Sequence, residues 1–274
     1  MKKELPKVQV NDINIFYKIH GEGIPFILIR GLSSSLDSWP PYSIEQFSKF
    51  FKTILFDNRG AGRSDMPDGN YSTKMMVDDT VGLMDALGIN KVYLLGFSMG
   101  GCIAQEIVLN YPNRITKLIL TSTWSGPSHG IVTPIPEENP FPKMLPLMKE
   151  GNYEKMARIL TSSLFPEDYK KKNPHIIEKV VKNYMAHPPT PKGFEGQSAY
   201  IETFETYDRL SEIKIPTLIL HGTEDRILPV ENAKILAEKI PSAELILFEN
   251  AGHGLIIQEY KLWTQKVIEF LKRK

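Results

Sequence analysis

Lys91-Val92-Tyr93-Leu94-Leu95-Gly96-Phe97-Ser98-Met99-Gly100-Gly101 decides how the rest of the chain is read. Val92 to Phe97 carries the β-branched and aromatic content of a buried strand, and Ile103, Ile107 and Val108 recur at helical spacing beyond it. Ser98 therefore stands at the corner of a strand–turn–helix unit. A corner that sharp holds its central residue in a sparsely populated backbone conformation, which demands almost no side chain two positions before and two after. Gly96 and Gly100 meet that demand. The turn lifts the Ser98 hydroxyl above the strand ends and aims the Met99 backbone N–H, at a helix start, toward a developing negative charge. Gly-x-Ser-x-Gly by itself is as often an incidental serine in a glycine-rich turn; the flanking strand and helix make it a nucleophile elbow.

Working outward, the composition bounds the class. A length of 274 residues exceeds the usual domain but suits an α/β core with an insertion. With 42% hydrophobic and 24% charged residues, the chain can bury a large core and is not disordered. A net charge of +1 argues against a nucleic-acid or anionic-membrane partner, which would need clustered Lys or Arg. The clusters present, Lys170 to Lys172 and Lys272-Arg273-Lys274, read as solvated ends. The single cysteine, Cys102, excludes an internal disulfide and a multi-cysteine metal site, and reads as a small buried apolar residue. Met1-Lys2-Lys3-Glu4-Leu5-Pro6 lacks an apolar signal core, and no run approaches the roughly 18 apolar residues of a membrane span. The expected location is cytoplasmic.

Val8 to Val10 and Ile13 to His20 predict a hairpin around Asn11-Asp12 at a sheet edge. Pro25 to Arg30 is an unbroken apolar strand of the kind buried on both faces in a parallel sheet. It ends at Gly31, and Gly31 to Trp39 is a small, polar loop that can bring a backbone N–H close to a substrate; a helix with Ile44 and Phe47 follows. Lys52 to Asp57 predicts a strand, and Asn58 to Asp65 a tight turn whose glycine pair lacks the phosphate-cradle pattern. Tyr71 to Leu87 predicts an amphipathic helix offering Met75, Met76, Leu83, Met84 and Leu87 to the core and stopped by Gly88, and Ile115 to Leu120 a further strand. The alternation predicts a mainly parallel α/β sheet flanked by helices, with residues 1–124 and 209–274 as its core. Between Ser125 and Asp208 the pattern breaks. Six prolines from Pro127 to Pro146 read as a hinge or lid edge, and helices at Tyr153 to Leu164, Ile176 to Met185 and Gly196 to Tyr207 make residues 125–208 a helical cap. Strands resume at Ile215 to His221 and Ala243 to Phe248, and Leu255 to Lys272 closes the chain as a helix.

Serine is a weak nucleophile unaided, so the elbow needs a base, and the base an orienting acid. His20 lies on the edge hairpin, His129, His175 and His187 in the cap, and His221 ends a strand. His253 stands in Glu249-Asn250-Ala251-Gly252-His253-Gly254, beyond the last strand, where an imidazole can swing over the sheet's carboxyl edge, so His253 is the base. The acid should also follow a strand. Thr121 to Trp124 offers no carboxylate; Gly222 to Pro229 offers Asp225, with Glu224 as the fallback. The order Ser98, Asp225, His253 is that of α/β-hydrolases.

Nearly the whole chain resembles α/β-hydrolase-fold proteins. The resemblance rests on Asp57-Asn58-Arg59-Gly60-Ala61-Gly62-Arg63-Ser64-Asp65, Gly96 to Gly101, Pro216 to Pro229 and Ala251-Gly252-His253. Within that family, Asp57 to Asp85 and the compact cap are most similar to carboxylesterases and 3-oxoadipate enol-lactonases. Family members that are haloalkane dehalogenases or epoxide hydrolases carry an aspartate nucleophile, and Ser98 sets this chain apart from them. Prolyl aminopeptidases resemble a Trp-containing elbow, where this chain has Met99. The implied reaction is transfer of an acyl group from a small or medium ester or lactone to water through an acyl-enzyme, with no metal and no cofactor. Ser98 would attack, His253 would carry the proton, Asp225 would hold the imidazolium, and the Leu32 and Met99 N–H groups would receive the oxyanion. A ligand sensor retaining the triad, and carbon–carbon bond hydrolase or perhydrolase chemistry, are the alternatives. No nucleic acid or membrane is expected as a partner, and a homodimer is left open.

One departure stands out. Arg30-Gly31 replaces the family's usual His-Gly before the oxyanion loop. Arg30 reads either as a buried brace paired with a carboxylate or as a group that selects carboxylate-bearing substrates. Trp124 and the cap aromatics Phe141 and Tyr200, with Met99, are expected to line an apolar acyl pocket; the plainer reading is that the aromatics pack only among themselves.

Overall fold

β5 (Val92–Phe97) runs through the middle of an eight-stranded sheet of order β1-β2-β4-β3-β5-β6-β7-β8. The computed structural model of the chain describes residues 6–133 and 139–273. Met1 to Leu5, Pro134 and Pro136 of the expected hinge, and Lys274 lie outside those residues. The expected edge hairpin joins β1 (Lys7–Val10) to β2 (Ile13–His20), and β2 runs antiparallel to β4 (Phe51–Phe56). The remaining pairings are parallel: β3 (Ile24–Ile29) with β4 and β5, then β5 with β6 (Ile115–Thr121), β6 with β7 (Thr217–Gly222) and β7 with β8 (Ala243–Phe248).

The unbroken apolar strands are covered on both faces. In β3, Phe26 and Leu28 join one core cluster and Ile27 and Ile29 the other, as the two-residue period of a strand requires. On the first face lie α1 (Pro41–Ser48), α10 (Leu255–Gln258) and α11 (Tyr260–Lys272), bringing Phe47, Leu255 and Trp263. On the second lie α2 (Thr73–Ala86), α3 (Met99–Asn110) and α9 (Glu231–Lys239), bringing Met76, Ile103 and Ala233. Because β4 pairs on one side of β3 and β5 on the other, the winding reverses there, and the loops after β3 and β5 leave the sheet side by side.

Between β6 and β7 the described residues contain helices and no strand: α4 (Phe141–Lys149), α5 (Tyr153–Leu164), α6 (Glu167–Lys172), α7 (Pro174–Ala186) and α8 (Pro191–Thr203). They share a small core of their own, with Met144, Leu160, Val181 and Phe194 among its members, and Leu32 packs against it.

Several local expectations are corrected. The proline-rich stretch contains α4, because Pro142 sits in its first turn, where the missing N–H costs nothing; only Pro146 interrupts the helix. α6 and α9 were not expected. α8 starts five residues before Gly196 and ends at Thr203 rather than Tyr207. The closing helix divides at Glu259. Met75 is exposed, and Tyr71 precedes α2, whose cap is the Ser72 side chain accepting from Met75 N–H. Amphipathic spacing identifies a helical face but not how far that face extends under neighbours.

A Cβ built on Gly100 would sit 2.2 Å from the Ile29 carbonyl oxygen, with backbone on both sides of the contact. Gly100→Ala should therefore lower the unfolding free energy by about 3 kcal/mol or more, read as a shift of the urea midpoint at unchanged slope. An unchanged midpoint would show that the crossing of β3 and α3 is not tight.

Candidate active site

Ser98 adopts φ 55°, ψ −123°, the strained corner that the glycine spacing predicts. Its N–H donates to the Thr121 carbonyl at 3.0 Å, and its own carbonyl accepts from Gly101 N–H and Thr123 Oγ, both at 2.8 Å. Held at both ends, the residue points its hydroxyl at His253: Oγ to Nε2 is 3.1 Å. His253 Nδ1 lies 2.7 Å from Asp225 Oδ2. The other carboxylate oxygen, Oδ1, accepts from the Ile227 and Leu228 N–H groups at 2.9 Å each. Burial by itself would raise the Asp225 carboxyl, but the His253 charge and hydrogen bonds from His221 and His253 more than offset it and hold it below the ordinary carboxylate range. Glu224, the fallback, points to solvent.

The loop after β3 passes directly over the elbow: a Cβ on Gly31 would lie 3.0 Å from Ser98 Cβ. Leu32 and Met99 both border the cavity above Ser98, and Met99 N–H belongs to the first turn of α3, which leaves it without an intrahelical acceptor. The next residue, Ser33, is itself strained, at φ 56°. It is clamped by Gln197 on α8, whose Oε1 accepts from Ser33 N–H at 2.7 Å while Nε2 donates to the Arg59 carbonyl at 2.6 Å. From below, Asp57 Oδ1 accepts from Leu36 N–H at 2.5 Å and Asn58 Nδ2 donates to the Arg30 carbonyl at 2.9 Å. The glycine-bearing turn after β4 is thus a brace for this loop. Gly62 leaves room for the Asp57 carboxylate, which a Cβ there would meet at 2.2 Å.

An apolar cavity of about 130 Å³ rises from Ser98, lined by Leu32, Met99, Cys102, Trp124, Phe141 and Ile227 among others, and it has no charged lining residue among the described residues. Trp124 and Phe141, expected as pocket residues, border this cavity. Tyr200 does not: it is wholly buried against Phe204 and does not border the cavity. Arg30 does not either. Its guanidinium is sandwiched between the Trp39 and Phe97 rings, 4.9 and 4.7 Å from their centroids, and Nε donates to Ser38 Oγ at 2.7 Å. Burial, partly opposed by Tyr184, lowers its pKa to about 10. It is a brace, as the first of the two readings held, but held by aromatic faces rather than a carboxylate. Cys102 is buried, and burial pushes its thiol up to about 12.

Gln197 and His221 were not singled out as site residues. His221 Nε2 lies 2.8 Å from the Leu228 carbonyl and 3.3 Å from Asp225 Oδ2, tightening the acid's loop. A signal for Gln197 was present in Gly193 and Gly196, one turn apart on a helix. A Cβ on Gly193 would meet the Gly60 carbonyl at 2.0 Å and one on Gly196 the Tyr71 ring at 2.6 Å, so α8 approaches the turn after β4 at backbone distance there.

A family model described as alpha/beta hydrolase fold matches residues 24–260. The chain belongs to that family. It is 28% identical over 269 residues to a protein from Azorhizobium caulinodans provisionally named carbamate hydrolase RutD, covering 97% of this chain and 98% of that one. It is also 28% identical, over 99% of this chain and 96% of the other, to the 2-hydroxy-6-oxo-6-phenylhexa-2,4-dienoate hydrolase of Comamonas testosteroni. Among solved structures, a thermophilic esterase from Thermogutta terrifontis superposes with a TM-score of 0.83 at 26% identity, over 97% of each chain. This α/β hydrolase is a hydrolytic enzyme acting on a small molecule. No helix among its described residues is long and apolar enough to cross a membrane.

Two outcomes test the site. Asp225→Asn should lower kcat by about 10³- to 10⁴-fold, because an amide cannot hold the imidazolium in its working tautomer, while Glu224→Gln stays within about twofold. Equal losses would mean that the wrong carboxylate is paired. Gln197→Leu should lower kcat about tenfold with KM nearly unchanged, since it releases Ser33 N–H and loosens an oxyanion donor without touching the cavity; a loss confined to KM would contradict the clamp.

Proposed function

We propose that the chain is a carboxylic ester hydrolase that cleaves small to medium esters or lactones through an acyl-enzyme. The observation that carries the reading is the Ser98–His253–Asp225 chain of hydrogen bonds standing at the floor of a cavity that has no charged lining residue among the described residues. Ser98 Oγ attacks the acyl carbon as His253 Nε2 takes its proton, Asp225 holds the resulting imidazolium, and His253 returns the proton to the leaving oxygen. Water repeats the sequence on the acyl-enzyme. Leu32 and Met99 N–H receive the oxyanion, a contribution of about 3–4 kcal/mol per donor.

The relatives are named as a carbamate hydrolase, a 2-hydroxy-6-oxo-6-phenylhexa-2,4-dienoate hydrolase and an esterase. The ester reading is supported by the cavity itself, which offers apolar surface and, among the described residues, no cation to a charged acyl group, Arg30 being sealed behind Trp39 and Phe97. Residues 125–208 act as the cap: they roof the cavity through Phe141 and Ile201, beside Trp124 at their margin, and reach the oxyanion loop through Gln197.

A p-nitrophenyl ester series tests this. A volume of about 130 Å³ equals that of about four liquid waters, so the acyl chain should fit to four to six carbons. kcat/KM should rise about fourfold per methylene up to that length, at about 0.8 kcal/mol each, and then fall. Ser98→Ala should abolish turnover and keep the fold. A flat profile from two to ten carbons, or an active Ser98→Ala, would contradict the proposal.

A further inference from the structure

Two cavities meet at Ser98, and both touch Leu32, Phe141 and Ile227. The larger runs beneath Trp124 and Cys102; the smaller, of about 30 Å³, runs past Ser34 and Tyr184 to His253. His253 borders the smaller one and not the larger. That asymmetry has a chemical meaning. In acyl transfer by a serine–histidine pair the imidazolium hands its proton to the departing atom, so the leaving group must lie on the histidine's side of the nucleophile and the acyl group on the other.

We infer that the small arm is the leaving-group site, and that the substrates are esters joining an apolar acid of several carbons to a short, hydrogen-bonding alcohol. The inference rests on the esterase reading and narrows it. A volume of 30 Å³ is that of about one water, so the arm takes the terminal one or two heavy atoms of a short alcohol whose ester oxygen and first carbon stay at the junction beside Ser98, against about four waters on the acyl side. Met144, Leu160 and Leu164 wall the arm, and all three belong to helices of the insertion, packed in its interior or at its margin. Its polar features besides the triad are two hydroxyls, Ser34 Oγ and Tyr184 Oη, 3.4 Å apart. A pair of hydroxyls lining a narrow arm can exchange hydrogen bonds with an alcohol's own hydroxyl, whereas a long alkyl chain would find neither space nor a partner. In the step itself, the Ser98 Oγ–acyl carbon bond forms, the acyl carbon–alkoxy bond breaks, and the Ser98 proton passes through His253 Nε2 to the alkoxy oxygen. A neutral alcohol leaves.

Alkyl esters test this better than p-nitrophenyl esters, because p-nitrophenolate departs without a proton and need not sit beside His253. Methyl hexanoate and pentyl acetate are isomers with the same carbons distributed to opposite sides of the ester. With p-nitrophenyl butyrate as the control, kcat/KM for methyl hexanoate should exceed that for pentyl acetate by about tenfold or more. Equal or reversed values alongside an active control overturn the leaving-group assignment and leave the esterase reading standing. Inactivity on all three overturns the esterase reading and this inference with it. The hydroxyl pair is read separately from 2-hydroxyethyl hexanoate and its near-isostere propyl hexanoate: the hydroxyethyl ester should be favoured several-fold, and Tyr184→Phe should bring the ratio to about one. A ratio that Tyr184→Phe leaves unmoved overturns the role given to the hydroxyls.

Discussion

The contact on which the rest of the structure depends is the approach of three backbones at the elbow. Gly96 lies against the Gly100 carbonyl, Gly100 against the Ile29 carbonyl, and Gly31 against Ser98 Cβ. Only hydrogen at these Cα positions lets β3, β5 and α3 come so close, and that closeness forces the positive φ at Ser98. Strain of this kind costs of order 1–3 kcal/mol and persists because the neighbours leave no other conformation. Thr121, Thr123 and Gly101 supply the hydrogen bonds that do so. The nucleophile is therefore positioned by the packing of the sheet rather than by its own side chain.

The second constraint ties the helical insertion to the sheet. Gln197 is wholly buried and bonds the Ser33 amide with one end and the Arg59 carbonyl with the other, so a helix of the insertion holds the oxyanion loop. Gln105 makes the reciprocal tie at the insertion's margins. It donates to the Trp124 carbonyl at 2.9 Å and accepts from Thr206 Oγ at 2.8 Å, joining both ends of the insertion to α3. Buried amides satisfied at both ends are costly to disturb, since breaking one bond strands a polar group without water. The helical insertion and the loop after β3 are consequently one mechanical unit.

Arg30 shows how a buried cation is accommodated with no counter-ion among the described residues. Trp263 stacks on Trp39 at 6.2 Å, Arg30 lies between Trp39 and Phe97, and Phe97 abuts the His253 ring at 5.3 Å. The electron-rich faces offset part of the desolvation cost, and the depressed guanidinium pKa records the remainder. Through this column the residue that departs from the family pattern supports the catalytic imidazole. A charge one residue before Gly31 is thereby kept out of the cavity it adjoins.

Much of this was legible in the chain. Gly96-Phe97-Ser98-Met99-Gly100 specified the elbow, because a positive φ flanked by close backbone contacts admits few sequences, and the unbroken apolar run of Pro25 to Ile29 and the spacing of α3 specified strand and helix. His253 and Asp225 could be found because both had to follow strand ends on one edge of a parallel sheet. What the tertiary structure decided were contacts between residues far apart in sequence. Gln197 and Ser33 are 164 residues apart, and although Gly193 and Gly196 mark a close approach of that helix, the sequence does not say what it approaches. Whether Arg30 met a carboxylate, a substrate or two aromatic rings depended on which side chains the fold brought around it. Tyr200 had the composition of a pocket residue and became core, because periodicity selects a helix face while only packing determines whether that face meets a cavity or another side chain.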